Sequence, residues 1–411
     1  MHVVIFEGSR WSNFAPLSLT QPVFMLECGL DSLLHKQIRA LKPSRLSLWV
    51  RPGLVEYCRR FVVPTTGVPT TVNEPLDDER ALLVSGRCLF FAPYEHHNEQ
   101  YVVMDEDDSV IRKASVVSPG LSCEDVMNRT DRWMKVLDLP HSMPQSRLVR
   151  YVWDLIAYNE EALVADTVRG DLKPASLGSG AYHVIHPENL FLGEGVSLEP
   201  GVVLDASRGP IVIGRGAKVG ANSVVQGPCG IGAYATVSPL STIRPGTTIG
   251  TQSKIGGEVS NSIVCAFSNK AHEGYLGDSY VGSWVNLGAG TTTSNLKNTY
   301  GPISMMIGGR ETSTGRRFLG SMIGEHSKTA IGTRLNTGTY IGCCSSLAAG
   351  GMSPRFVPSF TFLTDRGAEP YDLDKAKQVM TAVFARRNRT WTELDDTLLN
   401  LARQTAFEAE L

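Results

Sequence analysis

One stretch of the sequence, residues 268–298, concentrates side chains that can do chemistry. It reads SNKAHEGYLGDSYVGSWVNLGAGTTTSNLKN and holds one histidine, two lysines and four asparagines. Histidine titrates near neutral pH and is suited to take a proton from an attacking amine. Backbone N–H, amide and phenol groups can stabilise charge developing on a thioester oxygen, and lysine or arginine can hold a phosphate. The set suits transfer of an acyl group from a thioester to an amine, with His272 as the general base.

Other interpretations of these residues stay open at this point. Asparagines stacked at the corners of a repeat structure can simply satisfy turns. Cys265 could act as a covalent nucleophile, although nothing near it in the sequence marks an activated thiol. A zinc site would use His272 and His326, but a third histidine at suitable spacing is missing, so we predict no metal site.

A repeat of six residues surrounds this stretch and indicates the architecture that carries it. Period six fits neither an amphipathic helix nor a simple alternating strand, and it predicts a left-handed parallel β-helix of hexapeptide repeats. Such a prism is narrow and has no internal cavity, so ligands bind outside it, often between neighbouring prisms. The inward positions are predicted at Ile213, Val219, Val225, Ile231, Val237, Ile243, Ile249 and Ile255, with upstream members Leu192, Leu198 and Leu204 and later aliphatic–glycine pairs at Leu276, Val281, Leu287, Ile323, Ile331 and Ile341.

The flanking segments read differently and define the predicted domains. Strand-like runs such as HVVIFE and ALLVSG alternate with helical runs, which predicts an α/β domain with a parallel-rich sheet over 1–140. We predict a helical linker over 141–184, an acyltransferase-like β-helix over 185–355 and a helical C-terminal segment over 356–411. The run Arg386, Arg387 and Arg389 is either a solvated basic helix end or a contact for coenzyme A phosphates.

Composition excludes several classes of partner. The formal net charge of −2 gives no reason to expect nucleic acid or an anionic membrane. No run of 18 apolar residues occurs and the N-terminus lacks a basic leader, so we expect a cytoplasmic protein. The eight cysteines form no C-x-x-C pair, which predicts small buried thiols in a reducing compartment.

The chain also resembles a known family. NKAHEGYLGDSYVGSWVNLGAGTTTSN is similar to the acetyltransferase domain of the bifunctional N-acetylglucosamine-1-phosphate uridylyltransferase/glucosamine-1-phosphate acetyltransferase family. Over nearly its full length, the chain looks like that family's shorter sugar nucleotidyltransferase branch, through APLSLTQPVFML, YVWDLI, GGEVSNSI, SNLKN, NTGTYIG and RFVPSFTF. The resemblance implies a transferase of amino-sugar nucleotide synthesis that uses acetyl-CoA, and a homotrimer with its sites between prisms.

Carried over residue by residue, the resemblance makes His272 the general base. Ser260 stands where the family has a phosphate-binding lysine and Leu296 where it has a tyrosine, so Lys270 or Lys297 would compensate in choosing the acceptor. The implied contacts to the amino-sugar phosphate are Arg244, Glu258, Lys270, Tyr275, Asn286, Asn295 and Lys297, and those to acetyl-CoA are Ala289 and Ser321.

The start of the chain resembles a nucleotide-binding loop of the type G-x-G-[ST]-R that follows a strand. The resemblance makes Gly8, Ser9 and Arg10 the nucleotide-binding residues, with a nucleoside triphosphate and Mg²⁺ as partners. Three positions depart from the motif of this class of nucleotidyltransferase. Val23 stands where the motif has a lysine, Gln21 replaces a common arginine, and Arg87 replaces the metal-binding aspartate. The run MDEDDS, 104–109, offers carboxylates but also reads as a charged hairpin turn.

Three functions therefore stay open. The first combines nucleotidyl transfer at the N-terminal domain with acetyl transfer at the β-helix. The second keeps only nucleotidyl transfer and uses the β-helix to form a trimer. The third is a scaffold that binds sugar nucleotides without turnover.

Overall fold

The computed structural model describes residues 1–77, 81–94, 113–116, 120–128, 146–168, 172 and 180–410. Its N-terminal part is built on a five-stranded sheet in which four strands run parallel, which confirms the predicted parallel-rich α/β architecture. The strand from Lys113 runs antiparallel to its neighbour. The spatial order is Thr70–Val72, Arg45–Trp49, His2–Phe6, Ala81–Ser85 and Lys113–Val116.

Small antiparallel pairs and helices complete this part. The first long helix begins where the Ser32 side chain accepts a hydrogen bond from the His35 N–H, as an N-cap does. The paired strands are Glu27–Cys28 with Asp31–Ser32 and Cys88–Phe90 with Ser146–Leu148. The α-helices are Leu33–Leu41, Val55–Tyr57, Cys123–Met127 and Val152–Thr167, and the shorter turns of helix are Trp11–Phe14, Val23–Met25, Pro52–Leu54, Cys58–Val62 and Val63–Thr65.

From residue 183 the chain winds into a three-sided parallel β-helix, as the repeat predicts. Each side is a ladder of short strands, here called face 1, face 2 and face 3 in the order in which the chain meets them. Face 1 contains His183–Ile185, Val203–Asp205, Val224–Gln226, Thr242–Ile243, Glu258–Ser260 and Tyr275–Gly277. Face 2 contains Leu190–Leu192, Ile211–Ile213, Cys229–Ile231, Thr247–Ile249, Ile263–Val264, Tyr280–Val281, Ser321–Ile323, Thr339–Ile341 and Phe356–Val357. Face 3 contains Ser197–Leu198, Lys218–Val219, Thr236–Val237, Lys254–Ile255, Asn269–Lys270, Asn286–Leu287, Lys328–Thr329, Ser346–Leu347 and Thr361–Thr364.

Some segments depart from the regular coil. The helix Pro187–Asn189 precedes the first strand of face 2, and Thr292–Thr293 pairs with Arg334–Leu335. Residues 294–320 leave the prism and carry the antiparallel hairpin Ser304–Ile307 and Arg310–Ser313. Face 3 ends with Gly367–Pro370 running antiparallel. Two helices follow, Leu373–Ala385 and Glu393–Glu410, and the first begins with the Asp372 side chain accepting from the Lys375 N–H.

The predicted column of aliphatic side chains forms the core of the prism. All eight positions from Ile213 to Ile255 are buried, and so are Leu276, Val281 and Leu287. Ile331 is an exception: its side chain is 79% exposed, and Thr329 holds the inward position of that coil. The aliphatic–glycine pattern was therefore wrong at Ile331, because a residue two places later lies at the corner of the coil.

The N-terminal part packs against face 2 through buried polar side chains. Asn159, on the helix Val152–Thr167, accepts from the Gly29 N–H at 2.6 Å and donates to Gly246 O at 2.8 Å and Thr248 Oγ1 at 3.0 Å. Tyr280 Oη accepts from the Glu27 N–H at 2.8 Å. Face 2 is therefore largely covered within the chain. Faces 1 and 3 and the corner between them carry most of the predicted site residues of the prism, whereas Ser321 is on face 2.

The corner between faces 2 and 3 is lined by stacked aromatic rings. Phe267 lies 4.2 Å from Trp284 with nearly parallel planes, and Trp284 lies 6.1 Å from His326. Phe384, from the C-terminal helix Leu373–Ala385, closes on Trp284 and His326. The exposed Arg389 guanidinium lies 5.0 Å from the Phe267 ring centre, within the range of a cation–π contact.

All eight cysteines are buried and free, as predicted. No helix among the described residues is long and apolar enough to cross a membrane.

Candidate functional site

The corner between faces 3 and 1, here called the 3–1 corner, carries His272. The residue lies between the strands Asn269–Lys270 and Tyr275–Gly277, and its side chain is exposed. Ala289 lies on the same corner one coil later, between Asn286–Leu287 and Thr292–Thr293. The predicted general base and the predicted acyl-donor contact are therefore neighbours along one edge of the prism.

The loop that carries His272 rests on a pair of glycines in the preceding coil. A Cβ on Gly256 would lie 2.4 Å from Ala271 O, and one on Gly257, whose φ is +74°, would lie 2.8 Å from Gly274 O. Only glycine permits this approach. The two glycines at the start of the segment GGEVSNSI therefore contact the loop that carries His272.

Face 1 presents a row of polar side chains beside this corner. Thr242, Glu258 and Tyr275 are in register, and their neighbours Ile243, Val259 and Leu276 point inward. Because side chains alternate along a strand, the row points outward. Arg244 Nη1 donates to Glu258 Oε1 at 2.8 Å with both side chains about half exposed. Three of the predicted sugar-phosphate contacts therefore lie on one surface.

Asn295 joins this row from the start of the 294–320 excursion. Its Nδ2 donates to Tyr275 Oη at 3.0 Å and to Asp278 Oδ2 at 2.6 Å, and Asn261 Nδ2 donates to Asp278 Oδ1 at 2.7 Å. Burial raises the pKa of Asp278, and the two amides counteract this effect. Burial, followed by the charges of Asp278 and Glu258, also raises the pKa of Tyr275.

The sequence interpretation missed Asp278 and Asn261 as members of the site. Asp278 was visible as the last residue of YLGD, inside the quoted motif, but nothing in the sequence showed that it receives two amides. Both of its oxygens accept hydrogen bonds from amides, so Asp278 fixes the orientation of the Asn295 amide and is not an open anion.

The structure does not gather the remaining predicted residues onto face 1. Asn286 is exposed on face 3, next to Asn269 in register. Lys297 Nζ donates to Pro302 O at 2.7 Å within the excursion. Lys270 points into the prism and is 2% exposed. Ser321 is fully buried on face 2, and its Oγ has no hydrogen-bond partner in the described part of the chain.

The two histidines considered for zinc lie at different corners of the prism. His272 is on the 3–1 corner, and His326 is stacked on Trp284 at the corner between faces 2 and 3. Burial lowers the pKa of His326 to about 3. Over the residues that the structure describes, no group of three or more His, Cys, Asp and Glu side chains could hold a metal ion.

In the N-terminal part, Gly8, Ser9 and Arg10 follow the strand His2–Phe6 at the carboxyl edge of the sheet. Strand order reverses beside this strand, which is where open α/β sheets bind ligands. Gly8 has φ +77°, and Ser9 and Arg10 are exposed. The three residues therefore lie where open α/β sheets bind ligands, and their role in nucleotide binding stays a prediction.

Glu7, just before this loop, is fully buried and engaged. It accepts from Arg51 Nε at 3.1 Å and from the Val23 N–H at 3.2 Å, and the Arg51 guanidinium lies 3.8 Å from the Trp11 ring centre. Burial raises the pKa of Glu7 although Arg51 works against it. Val23, at the expected lysine position, is therefore part of a packed cluster.

The described residues of this edge do not fit a Mg²⁺ site. Arg87 is buried where the metal-binding aspartate was expected, and the Glu7 carboxylate is held by Arg51. A second cation in place of a carboxylate disfavours a divalent ion. Residues 104–109 lie outside the described residues.

Comparison with known proteins finds a family that is similar to the N-terminal part. Residues 3–170 match the family described as sugar nucleotidyl transferases. The match spans less than half of the chain, so it shows that the N-terminal part is similar to that family. Together with the relatives described below, this match confirms the resemblance to sugar nucleotidyltransferases that the sequence indicated.

The chain is also similar to bifunctional relatives. It is 33% identical over 152 residues to the bifunctional sugar-1-phosphate nucleotidylyltransferase/acetyltransferase of Sulfurisphaera tokodaii, over 36% of this chain and 38% of the relative. It is 32% identical over 210 residues to the bifunctional protein GlmU of Desulfitobacterium hafniense, over 46% of this chain and 42% of the relative. The alignments thus span about two fifths of these relatives. An Arabidopsis UDP-N-acetylglucosamine acyltransferase aligns at 15% identity and a TM-score of 0.23, covering 49% of this chain and 77% of that one.

Proposed function

We propose that the 3–1 corner is a site for acetyl-CoA-dependent N-acetylation of an amino-sugar 1-phosphate. The observation that carries this proposal is that His272 lies at the edge of face 1. On this face Glu258 and Tyr275 are in register, and they accept hydrogen bonds from Arg244 and Asn295. The row supplies a cation for a phosphate and hydroxyl or amide groups for a sugar. The similarity to bifunctional nucleotidyltransferase/acetyltransferases supports the same chemistry.

The reaction needs one base and one acceptor amine. The His272 imidazole takes a proton as the sugar nitrogen attacks the thioester carbonyl carbon of acetyl-CoA. The tetrahedral intermediate then breaks its carbon–sulfur bond, and the CoA thiolate receives the proton from the imidazolium. The products are the N-acetylated sugar phosphate and free CoA. Arg244 would hold the phosphate, Tyr275 and Asn295 would orient the amine, and the backbone at Ala289 would approach the acyl donor.

We propose that the chain assembles as a homotrimer through this corner. Leu240 and Ile331 lie on the same edge as His272, and their side chains are 77% and 79% exposed. In a symmetric trimer, neighbouring copies of the chain would cover these two aliphatic side chains. The acyl donor would then lie between adjacent prisms, and Asn286, which is exposed on face 3, would act across that contact. Ser321 is fully buried on face 2 and would not reach the ligand.

The test is acetyl-CoA-dependent release of free CoA with glucosamine 1-phosphate. We expect a clear rate for the wild-type protein and a loss of about 100-fold or more for His272→Ala, since general-base catalysis contributes about 10²–10⁴-fold. His186→Ala is the matched control, because His186 is an exposed histidine that pairs with Glu188 at the start of the prism. Equal rates in all three proteins would contradict the proposal. No rate in any of them, with folded trimer shown, would leave the β-helix as a scaffold.

We also propose that the N-terminal domain transfers a nucleotidyl group to a sugar 1-phosphate. The family match over residues 3–170 and the position of the Gly8–Ser9–Arg10 loop support this second activity. The expected result is pyrophosphate release from a nucleoside triphosphate in the presence of a sugar 1-phosphate, reduced at least tenfold by Arg10→Ala. Lys42→Ala is the control, because Lys42 is an exposed residue after the helix Leu33–Leu41. Nucleotide binding without turnover for every triphosphate tested would support the scaffold function instead.

A further inference from the structure

Lys270 occupies a position in the inward column that aliphatic residues hold in neighbouring coils. It pairs with Ile255 in register, and its neighbour Asn269 pairs with Asn286, which places Lys270 between Ile255 and Leu287. Both of those residues belong to the apolar core. A lysine that is only 2% exposed needs partners for its ammonium group.

The Lys270 ammonium finds these partners in two successive corners. Its Nζ donates to Gly256 O at 2.8 Å and to His272 O at 3.0 Å. In a regular corner the equivalent carbonyl is bound by a backbone N–H, as when the Thr291 N–H donates to Gly288 O at 3.0 Å. The corner at Gly256 has only two residues between its strands, 256 and 257, where four residues, 288–291, separate the strands two coils later. The lysine therefore replaces the turn N–H that the shortened corner lacks, and it ties that corner to the next one.

From these contacts we propose that Lys270 is a positioning residue for His272. By fixing the His272 carbonyl to the Gly256 carbonyl from inside the prism, it sets where the imidazole stands at the 3–1 corner. This inference rests on the proposed acetyl transfer, and it reassigns Lys270 from substrate contact to support of the base. Gly256 and Gly257 are needed for the same contact, because only residues without a Cβ let the two corners approach closely enough to share one ammonium group.

The two hydrogen bonds from Lys270 Nζ to Gly256 O and His272 O, here called the clamp, do not depend on the charge of the lysine. Burial lowers the pKa of Lys270 to about 8, and Glu273 partly opposes this shift. A neutral amine still carries two N–H groups, enough for two carbonyls. Loss of the proton above pH 8 therefore leaves the loop in place, and the pH dependence of acetyl transfer should not acquire a separate step from Lys270.

The neighbouring inward positions are also polar under this site. Thr293 Oγ1 accepts from the Gly277 N–H at 3.1 Å and donates to Tyr275 O at 3.3 Å. The backbones of His272 and Tyr275 are thus both held by side chains from inside the prism. The break in the apolar column coincides with the residues that we propose meet the substrate.

The experiment compares wild type with Lys270→Met in the full-length protein. Methionine fills the column but cannot donate to either carbonyl, so we expect faster amide hydrogen exchange at 271–274 and a 10- to 100-fold fall in kcat. The KM for glucosamine 1-phosphate should stay within about twofold, since Arg244 and Tyr275 do not move. Lys270→Leu is a second variant in case methionine packs poorly. Lys328→Met is the matched control, because Lys328 Nζ donates to His326 O, also at 3.0 Å, at a different corner.

The two proposals fail in distinguishable ways. Unchanged exchange at 271–274 in both Lys270 variants would overturn the clamp, whatever the activity. Faster exchange with unchanged kcat would overturn the positioning role while the acetyl transfer stands. If wild type shows no acetyl transfer, the proposed function and the positioning role both fall, and exchange at 271–274 then reports only whether the clamp exists. An equal loss of kcat in Lys328→Met would assign the effect to general damage of the prism and overturn the inference.

Discussion

Asn295 Nδ2 donates to Tyr275 Oη at 3.0 Å, although the two residues come from different coils and Asn295 belongs to the excursion that leaves the prism. The same Nδ2 donates to Asp278 at 2.6 Å. The amide therefore joins a surface phenol to a mostly buried carboxylate, and its orientation is fixed before any ligand arrives.

Replacing this amide should damage substrate use more than folding. Asn295→Asp removes both donated hydrogen bonds and places a carboxylate against Asp278. We therefore expect kcat/KM for the amino-sugar phosphate to fall about 10- to 100-fold, which corresponds to a loss of about 1.4–3 kcal/mol of transition-state stabilisation. The measurement is steady-state CoA release. Asn298→Asp, an exposed substitution three residues later, controls for added charge in the excursion, and an equal fall in that variant would contradict the assignment.

Arg244 offers a substitution that should affect binding but not stability. Its pair with Glu258 is half exposed, and such surface pairs contribute about 0–1 kcal/mol. Arg244→Gln should therefore leave the denaturation midpoint nearly unchanged and raise KM for the sugar phosphate about tenfold. The corresponding change at Arg215, an exposed arginine at another corner, should alter neither quantity. A shift of the midpoint without a change in KM would make Arg244 a structural residue.

His326 should make the aromatic corner sensitive to acid. Its pKa is about 3 in the folded chain against 6.5 ordinarily, because burial disfavours the imidazolium. Between these values the unfolded chain binds a proton that the folded chain does not, so stability falls as pH drops from about 6.5 toward 3. Between pH 7 and 4.5 the free energy of unfolding should fall by about 2 kcal/mol less in His326→Phe than in wild type. Denaturant unfolding at the two pH values measures it, and parallel losses in both proteins would assign the acid sensitivity elsewhere.

Asn159 should be one of the most important polar residues for stability. It is fully buried and binds Gly29, Gly246 and Thr248, so truncation strands several partners at once. Asn159→Ala should lower the free energy of unfolding by about 2–4 kcal/mol, since each buried unsatisfied group costs about 1–3 kcal/mol. Asn128 is the exposed residue that follows the short helix Cys123–Met127. Asn128→Ala should change the free energy of unfolding by less than about 0.5 kcal/mol. A loss below 1 kcal/mol for Asn159→Ala would show that water replaces the amide.

The period of six residues was enough to predict the prism and most of its inward column. Each inward residue repeats the environment of the one before it, so the pattern carries over from coil to coil and local information suffices. The same rule fails at Ile331, where a glycine follows an aliphatic residue at the corner. Corner and column positions lie only two residues apart, and glycine is acceptable after either.

The site was only partly predictable, and Lys270 shows why. A lysine inside a segment rich in polar groups is expected to face solvent, because burying its ammonium is costly. What overrides this expectation is the shortened corner at Gly256, whose carbonyl needs a donor, and that need appears only once successive coils are stacked. The docking of the N-terminal part on face 2 was equally invisible, since Asn159 meets Gly29 and Thr248 across 130 and 89 residues of chain.

The covering of face 2 also determines how the two proposed reactions can communicate. In a three-sided prism the 3–1 corner lies opposite face 2, so the rigid core stands between His272 and the N-terminal sheet of the same chain. A prism filled by side chains offers no tunnel, and an intermediate made at one site must leave into bulk water to reach the other. Within one chain the reactions would then be linked by concentration alone. An excess of unlabelled intermediate should dilute the label in the final product fully, as it would for two separate enzymes.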